Sequence, residues 1–344
     1  MSLRDYLSVQ NYYLIDYKVA IFHSTTVIIC SSMEAYWSNF DNPRPRPIDT
    51  VVDKVPPVQM AHFMKGAQAL SLLVERDQPD AIFVPERGAG PIVWAVDSFL
   101  KAKGIEYPKI YLPVGTNTDP LTARQEGFNA TTKRRMISTE IERFRELSGK
   151  EIKSATLIDE VQSGATISTA SRYVAELLPD SRLHVIAVQD NRTNILHRNK
   201  THAFSKLASN ERVGIQASVV PIPLFTVDRS GLMDTIFRPS DAPESQQPDM
   251  LMIMRNTEAE AMMKTLALAS LRPDLLLKCA QEIKDGGTST IDLSEKDQEV
   301  YRQLYTWVES LTKDDSVPKP EARRKRILFW LNSFANHANT SNTD

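Results

Sequence analysis

The chain is poor in the residues that build metal and disulfide sites. Two cysteines stand in 344 residues, Cys30 and Cys279, too far apart to make a metal-spaced pair. His62, His184 and His197 show no metal spacing either, and read as satisfied or surface histidines. No Ser-His-Asp set is suggested by the sequence. An excess of either charge is missing too: 41 Lys and Arg oppose 43 Asp and Glu, a formal net charge of -2. Composition therefore gives no drive towards nucleic acid or membrane, and nucleic acid is not expected as a direct ligand. The longest apolar runs, including "TVIIC" and "SVVPIPLF", are strand-sized and well below bilayer-spanning length. The opening "MSLRDYLSVQ" lacks the basic-then-apolar pattern of an export signal, so a cytoplasmic protein is expected. There is no internal repeat.

What is present is ordinary globular stock, 42% hydrophobic and 24% charged, over a length that suits one large domain with an appendage or two domains. Residues 1–50 combine β-leaning runs, "YYLIDYKVAIF" and "TTVIIC", with the connector-like "DNPRPRP", and read as an N-terminal arm or small subdomain. From there Met60, Phe63, Met64, Ala67, Leu70, Leu73 and Val74 recur at helical spacing, and "AIFVP" reads as a short buried strand. "GPIVWAVDSFLKAKG" predicts a helix closed by Gly104, and "KIYLPVG" a strand. Thr139 and Glu142 have the spacing of a capping box opening a helix at "EIERFRELSG". "SATLI", "TISTASRYVAELL" and "LHVIAVQD" follow as strand, helix and strand, the alternation a parallel α/β sheet requires.

The prolines and polar residues of "RPSDAPESQQPD" break this pattern. The division is an α/β core over 51–240, a linker over 241–252, a helical C-terminal domain over 253–338 and a frayed tail over 339–344. Within the helical part, Thr257 and Glu260 open one helix, and "RPDLLLKCAQEIKDGG" starts after a proline and stops at two glycines. Val300, Leu304, Trp307, Val308 and Leu311 stripe a third helix, and "EARRKRILFWLNSFA" lies on a last one. Trp307 and Trp330 read as core residues. The basic "ARRKR" beside "ILFWL" marks an amphipathic helix docking on a partner or on the core. Such stripes make a homo-oligomer or a protein partner a reasonable expectation.

The stretch that carries chemistry is "TLIDEVQSGATIST". Thr156, Leu157 and Ile158 run into Asp159 and Glu160, followed by Ser163, Gly164, Ala165 and Thr166. In a parallel sheet, ligands bind outside the carboxyl ends of strands, where the next helix presents unsatisfied N–H groups. Small residues let the backbone wrap a phosphate, whereas two carboxylates would repel it unless they hold sugar hydroxyls or a magnesium ion carried by the ligand. A phosphorylated ribose satisfies both halves.

"TLIDEVQSGAT" resembles the signature of type I phosphoribosyltransferases, a loop residue shorter than its commonest form. The resemblance implies that Asp159 and Glu160 hold the ribose hydroxyls of phosphoribosyl pyrophosphate and that Ser163, Gly164, Ala165 and Thr166 hold its 5′-phosphate. "AIFVPERGAGPIVWAV" resembles the family's earlier strand, which makes Glu86, Arg87, Gly88 and Ala89 its pyrophosphate loop. The stretch "TNTDPLTARQEGFNATTKRR", from Thr116 to about Arg135, falls where the family keeps a mobile catalytic loop. Arg124, Lys133, Arg134 and Arg135 are its basic candidates for the leaving pyrophosphate, with Arg124 and Lys133 carried forward as catalytic candidates. Phe225 for stacking on a base and Asp228 for a base or metal contact come from a looser likeness to oxopurine members.

The implied fold is a type I phosphoribosyltransferase-like parallel sheet flanked by helices, with an N-terminal arm, which could serve as the family's hood, and a C-terminal all-helical extension. The implied activity transfers phosphoribose from the magnesium complex of phosphoribosyl pyrophosphate to a nitrogen acceptor, such as a nucleobase, with release of pyrophosphate. The alternative is a non-catalytic sensor of phosphoribosyl pyrophosphate or a nucleotide, or an assembly subunit in a regulatory or defence setting, with the C-terminal helices binding a partner.

Overall fold

The computed structural model describes residues 46–85, 89–112, 126–161, 165–190, 215–224, 232, 236, 251–286, 293–313 and 319–340. Two short-spaced helices, α1 (Pro47–Lys54) and α2 (Pro57–Asp77), lead into strand β1 (Ala81–Pro85). Helix α3 (Gly90–Ala102), β2 (Lys109–Leu112), α4 (Glu126–Ser148), β3 (Ser154–Glu160), α5 (Ala165–Leu177), β4 (Arg182–Asp190) and β5 (Ile215–Ile222) continue the alternation. The chain ends with α6 (Leu251–Leu271), α7 (Pro273–Asp285), α8 (Glu295–Thr312) and α9 (Pro320–Thr340). No helix among the described residues is long and apolar enough to cross a membrane.

Among the described residues the five strands are all parallel, in the order β2-β1-β3-β4-β5. Chain order reverses between β1 and β3, since β2 lies on one side of β1 and the later strands on the other. Right-handed crossovers in opposite directions must put their helices on opposite faces. Accordingly α3 lies on one face, while α4 and α5 lie on the other. The alternation of strand side chains divides the core the same way. Ile158, Ile186 and Val188 join α2, α3 and α6–α9 in one apolar cluster, whereas Leu157, Val185 and Ala187 join α4 and α5 in another. At the amino ends, Asp80 locks the start of β3: its carboxylate accepts the amides of Lys153 and Ser154, each at 2.9 Å.

The C-terminal helices share the first cluster with the sheet rather than closing a core of their own. Arg323 of α9 is buried and donates to both carboxylate oxygens of Asp49 on α1, at 2.8 and 3.0 Å, and to the carbonyl of Leu311 at 2.5 Å. Trp330 donates its indole N–H to the carbonyl of Val55 at 2.8 Å and stacks on Phe334. Helix α9 therefore docks on the chain's own core through its apolar residues and Arg323, while Lys325 and Arg326 of "ARRKR" are exposed; Trp330 is a core residue and Trp307 is half-buried against it. A second tie runs through the buried Asp97 of α3, which faces Lys109 at 2.7 Å, Lys101 at 3.4 Å and Lys264 of α6 at 3.7 Å. Burial works against its charge, but Lys109, Lys101 and Lys264 together outweigh that and hold the carboxyl below its ordinary value.

Several local expectations are corrected. Thr139 caps nothing: α4 begins at Glu126, and the Thr139 hydroxyl donates to the carbonyl of Arg135 at 3.0 Å within it. A threonine satisfied by the preceding turn has no need of a helix start. Helix α6 begins at Leu251, ahead of Thr257, and α9 runs through Thr340, with Ala338 buried. Pro47, placed in a connector by the sequence, instead stands at the first position of α1, where its missing N–H costs nothing. The stop of α7 is as expected, with Gly286 left-handed at φ 68°.

Candidate functional site

Strand β3 runs two residues beyond "SATLI", so Asp159 and Glu160 are its last two residues, the strand end where the sequence places them. They pair with Ala187 and Val188 of β4. Both are buried, Asp159 at 2% and Glu160 at 9% exposure, which is uncommon for adjacent carboxylates and points away from an ordinary solvated helix start. Strand alternation sends Asp159 to the face covered by α4 and α5, and Glu160 to the face covered by α2, α3 and the C-terminal helices.

The two acids differ accordingly. The Glu160 carboxylate accepts the backbone N–H of Leu232 at 2.9 Å, so it has a fixed donor from the segment that follows β5. Burial, and then the adjacent Glu160 charge, push the Asp159 carboxyl well above the usual carboxylate range, against a smaller opposing pull from the Glu160 amide. A carboxyl held this way can donate as well as accept a hydrogen bond, which suits a hydroxyl partner better than a free anion.

The other expected residues fall as follows. Ser163 and Gly164 lie outside the described residues, and Ala165 and Thr166 are the first two residues of α5. Glu86, Arg87 and Gly88 also lie outside them, while Ala89 is fully buried at the amino end of α3. Its amide donates to the carbonyl of Pro85 at 3.2 Å and its carbonyl accepts from Val93 at 2.9 Å, so three residues separate the end of β1 from the first turn of α3. Ala89, at the N-cap position of α3, supplies no side-chain cap to that turn. The two motif loops thus follow β1 and β3, the adjacent strands between which the sheet order reverses.

Of the basic candidates, Arg124 lies outside the described residues and Lys133 is within α4. The expected irregular stretch ends at Glu126, after which residues as far as Ser148 are helical because Ile137 and Ile141 pack on the sheet one turn apart. Arg134 and Arg135 are exposed on that helix, Arg134 facing Glu176 of α5 at 3.7 Å. Phe225 and Asp228 lie outside the described residues, as does His197. Among the described residues there is no group of three or more His, Cys, Asp and Glu that could hold a metal ion. The residue that sequence reasoning missed is Leu232, whose contribution is a backbone amide and leaves no side-chain signature.

No family model, curated protein or solved structure matches the chain.

Proposed function

We propose that the chain is a phosphoribosyltransferase-like protein that binds phosphoribosyl pyrophosphate with magnesium and transfers its phosphoribose to a nitrogen acceptor, releasing pyrophosphate. The observation that carries this reading is that the two motif segments follow β1 and β3, the adjacent strands at the reversal point of a parallel sheet, with two buried acids as the terminal residues of β3. In open α/β sheets that reversal point is where a ligand spanning two loops finds two sets of backbone donors. A pyrophosphate on the 86–89 loop and a 5′-phosphate on the 163–166 loop would place the ribose between them, beside Asp159 and Glu160.

The donor set suits a magnesium ion carried by the substrate. Two carboxylates directed to opposite faces make no protein cage, and magnesium commonly binds through substrate phosphates with few protein ligands. Bound in that way it would neutralise charge on the departing pyrophosphate. The protein's own share is positional: Glu160, oriented by the Leu232 amide, and Asp159 hold the sugar while the loop amides hold its phosphates.

A second reading, a non-catalytic sensor or assembly subunit, is favoured by one observation. Helix α6 of the C-terminal part packs along α3, the helix that opens directly after the pyrophosphate-type loop. Pyrophosphate exchange into phosphoribosyl pyrophosphate, assayed over a panel of bases, separates the two. Exchange that depends on a base and is lost in Asp159→Asn with Glu160→Gln supports the transferase. Binding without exchange supports the sensor, and neither binding nor exchange rejects both.

A further inference from the structure

A second constellation lies on the same sheet, away from the acids. His184 of β4 is buried, its Nδ1 against the Asp77 carboxylate at the end of α2 and its Nε2 2.8 Å from the Ser218 hydroxyl of β5. A carboxylate can only accept, so in the neutral imidazole Nδ1 carries the proton and Nε2 is left to accept from Ser218. Asp77 is itself held: Arg76 donates to its other carboxylate oxygen at 3.3 Å, and Arg182 to its backbone carbonyl at 3.4 Å. The imidazole is thus fixed in tautomer and orientation, with a hydroxyl on its basic nitrogen. The order of roles is that of nucleophile, general base and orienting acid.

The three residues are separate from the phosphoribosyl site. Val188 is the β4 residue level with Glu160, and His184 stands four residues before it, about 13 Å towards the amino ends of the strands. Ser218 is half-buried on a strand that among the described residues pairs with β4 alone. Successive N–H groups of an edge strand point alternately towards and away from its neighbour. Among the described residues, therefore, either Ser218 itself or its neighbours Ala217 and Val219 present an amide on the side away from β4, and Val219 is 50% exposed beside it. Such an amide is a donor for an oxygen that gains negative charge next to Ser218.

We propose that Ser218, His184 and Asp77 form an activated-serine site that takes small, unhindered carboxylic esters. The Ser218 oxygen bonds to the ester carbonyl carbon while its proton passes to His184 Nε2. The bond from that carbon to the alcohol oxygen then breaks, and the alcohol leaves with the proton from Nε2. Water, giving a proton to the same nitrogen, adds to the acyl-serine; the free acid departs and the proton returns to Ser218.

The full chain is treated with p-nitrophenyl acetate and, separately, with a fluorophosphonate probe, and followed by intact mass and peptide mapping. The proposal predicts one adduct, on Ser218, that is absent in Ser218→Ala. Because replacing the buried His184 risks the fold, Asp77→Asn is the second variant, and it slows acylation by about 10²-fold or more while the protein stays folded by circular dichroism. No adduct on Ser218, or acylation unchanged in Asp77→Asn, overturns the proposal. In that event a lowered Tm in Ser218→Ala identifies the three residues as a tether between α2 and the sheet.

Discussion

The two faces of the sheet are built differently. Helices α4 and α5 cover one face with the smaller of the two apolar clusters, which includes Phe83 and Tyr173, and strand alternation sends Asp159 to that face. The other face is covered by α2 and α3 and then by α6–α9, and its interior holds the buried Arg323–Asp49 pair, the Trp330 indole bond and the Asp97 cluster. Glu160 belongs to that face and has an amide donor there. Adjacent acids in the sequence therefore sit in unlike surroundings, one in a thin apolar layer and the other braced by a deep and polar-stitched one. What looks like a symmetrical pair is Glu160 tied to the distant Leu232 amide beside Asp159, whose carboxyl burial pushes towards its neutral form.

The largest expected effect is on the thick face. Arg323→Ala leaves Asp49 buried with, among the described residues, the more distant Arg326 at 3.8 Å as its remaining cation, and should lower unfolding free energy by about 3–5 kcal/mol in urea titration. Pairing Arg323→Met with Asp49→Leu should recover most of that loss, because the charge penalty goes with the charges. Gly66→Ala comes next. A Cβ there would fall on Ile222 Cγ2 and lie 3.1 Å from Cγ1 of that fully buried, stiff side chain, where α2 crosses β5. A loss of about 1–3 kcal/mol is expected. On the thin face, Ile141→Val removes one methylene group and should cost about 0.5–1.5 kcal/mol. An Ile141→Val loss as large as that of Arg323→Ala would erase the contrast between the faces.

The smallest effect is one of sign. The Asp159 carboxyl is raised in the folded chain, so the folded state holds that proton more tightly than the unfolded state does. Stability from this group is fully present below its ordinary value of 3.8 and is lost as pH rises towards the folded value. Asp159→Asn should therefore raise Tm of the ligand-free protein at neutral pH, with the gain shrinking as pH falls towards 4. A lower Tm in that variant at neutral pH would mean that the charged form is already stabilised.

The parallel sheet was legible from the sequence because its strands are short apolar runs separated by helical periodicity. "AIFVP" and the stripe of α2 fall where the periodicity puts them, as does the Gly104 turn after α3. Terminal signals were less legible. Thr139 with Glu142 copies a capping box, but apolar contacts of Ile137 and Ile141 carry α4 through it. The stripes of the C-terminal helices were readable, but their target was not, since nothing in "ARRKR" says that Asp49 lies opposite. Two acids at a strand end were visible, whereas their division between faces needed the register of β3 against β4. The Ser218, His184 and Asp77 contact was invisible, because it joins residues brought together only by the strand order.

The most direct measurement is thermal unfolding of the wild-type chain and of the Asp159→Asn, Glu160→Gln double variant, each with and without phosphoribosyl pyrophosphate and magnesium. Ligand binding to the folded state raises Tm by mass action. The account predicts a ligand-dependent rise in the wild type that needs magnesium and disappears in the double variant. An equal rise in both proteins, or none in the wild type, would contradict it.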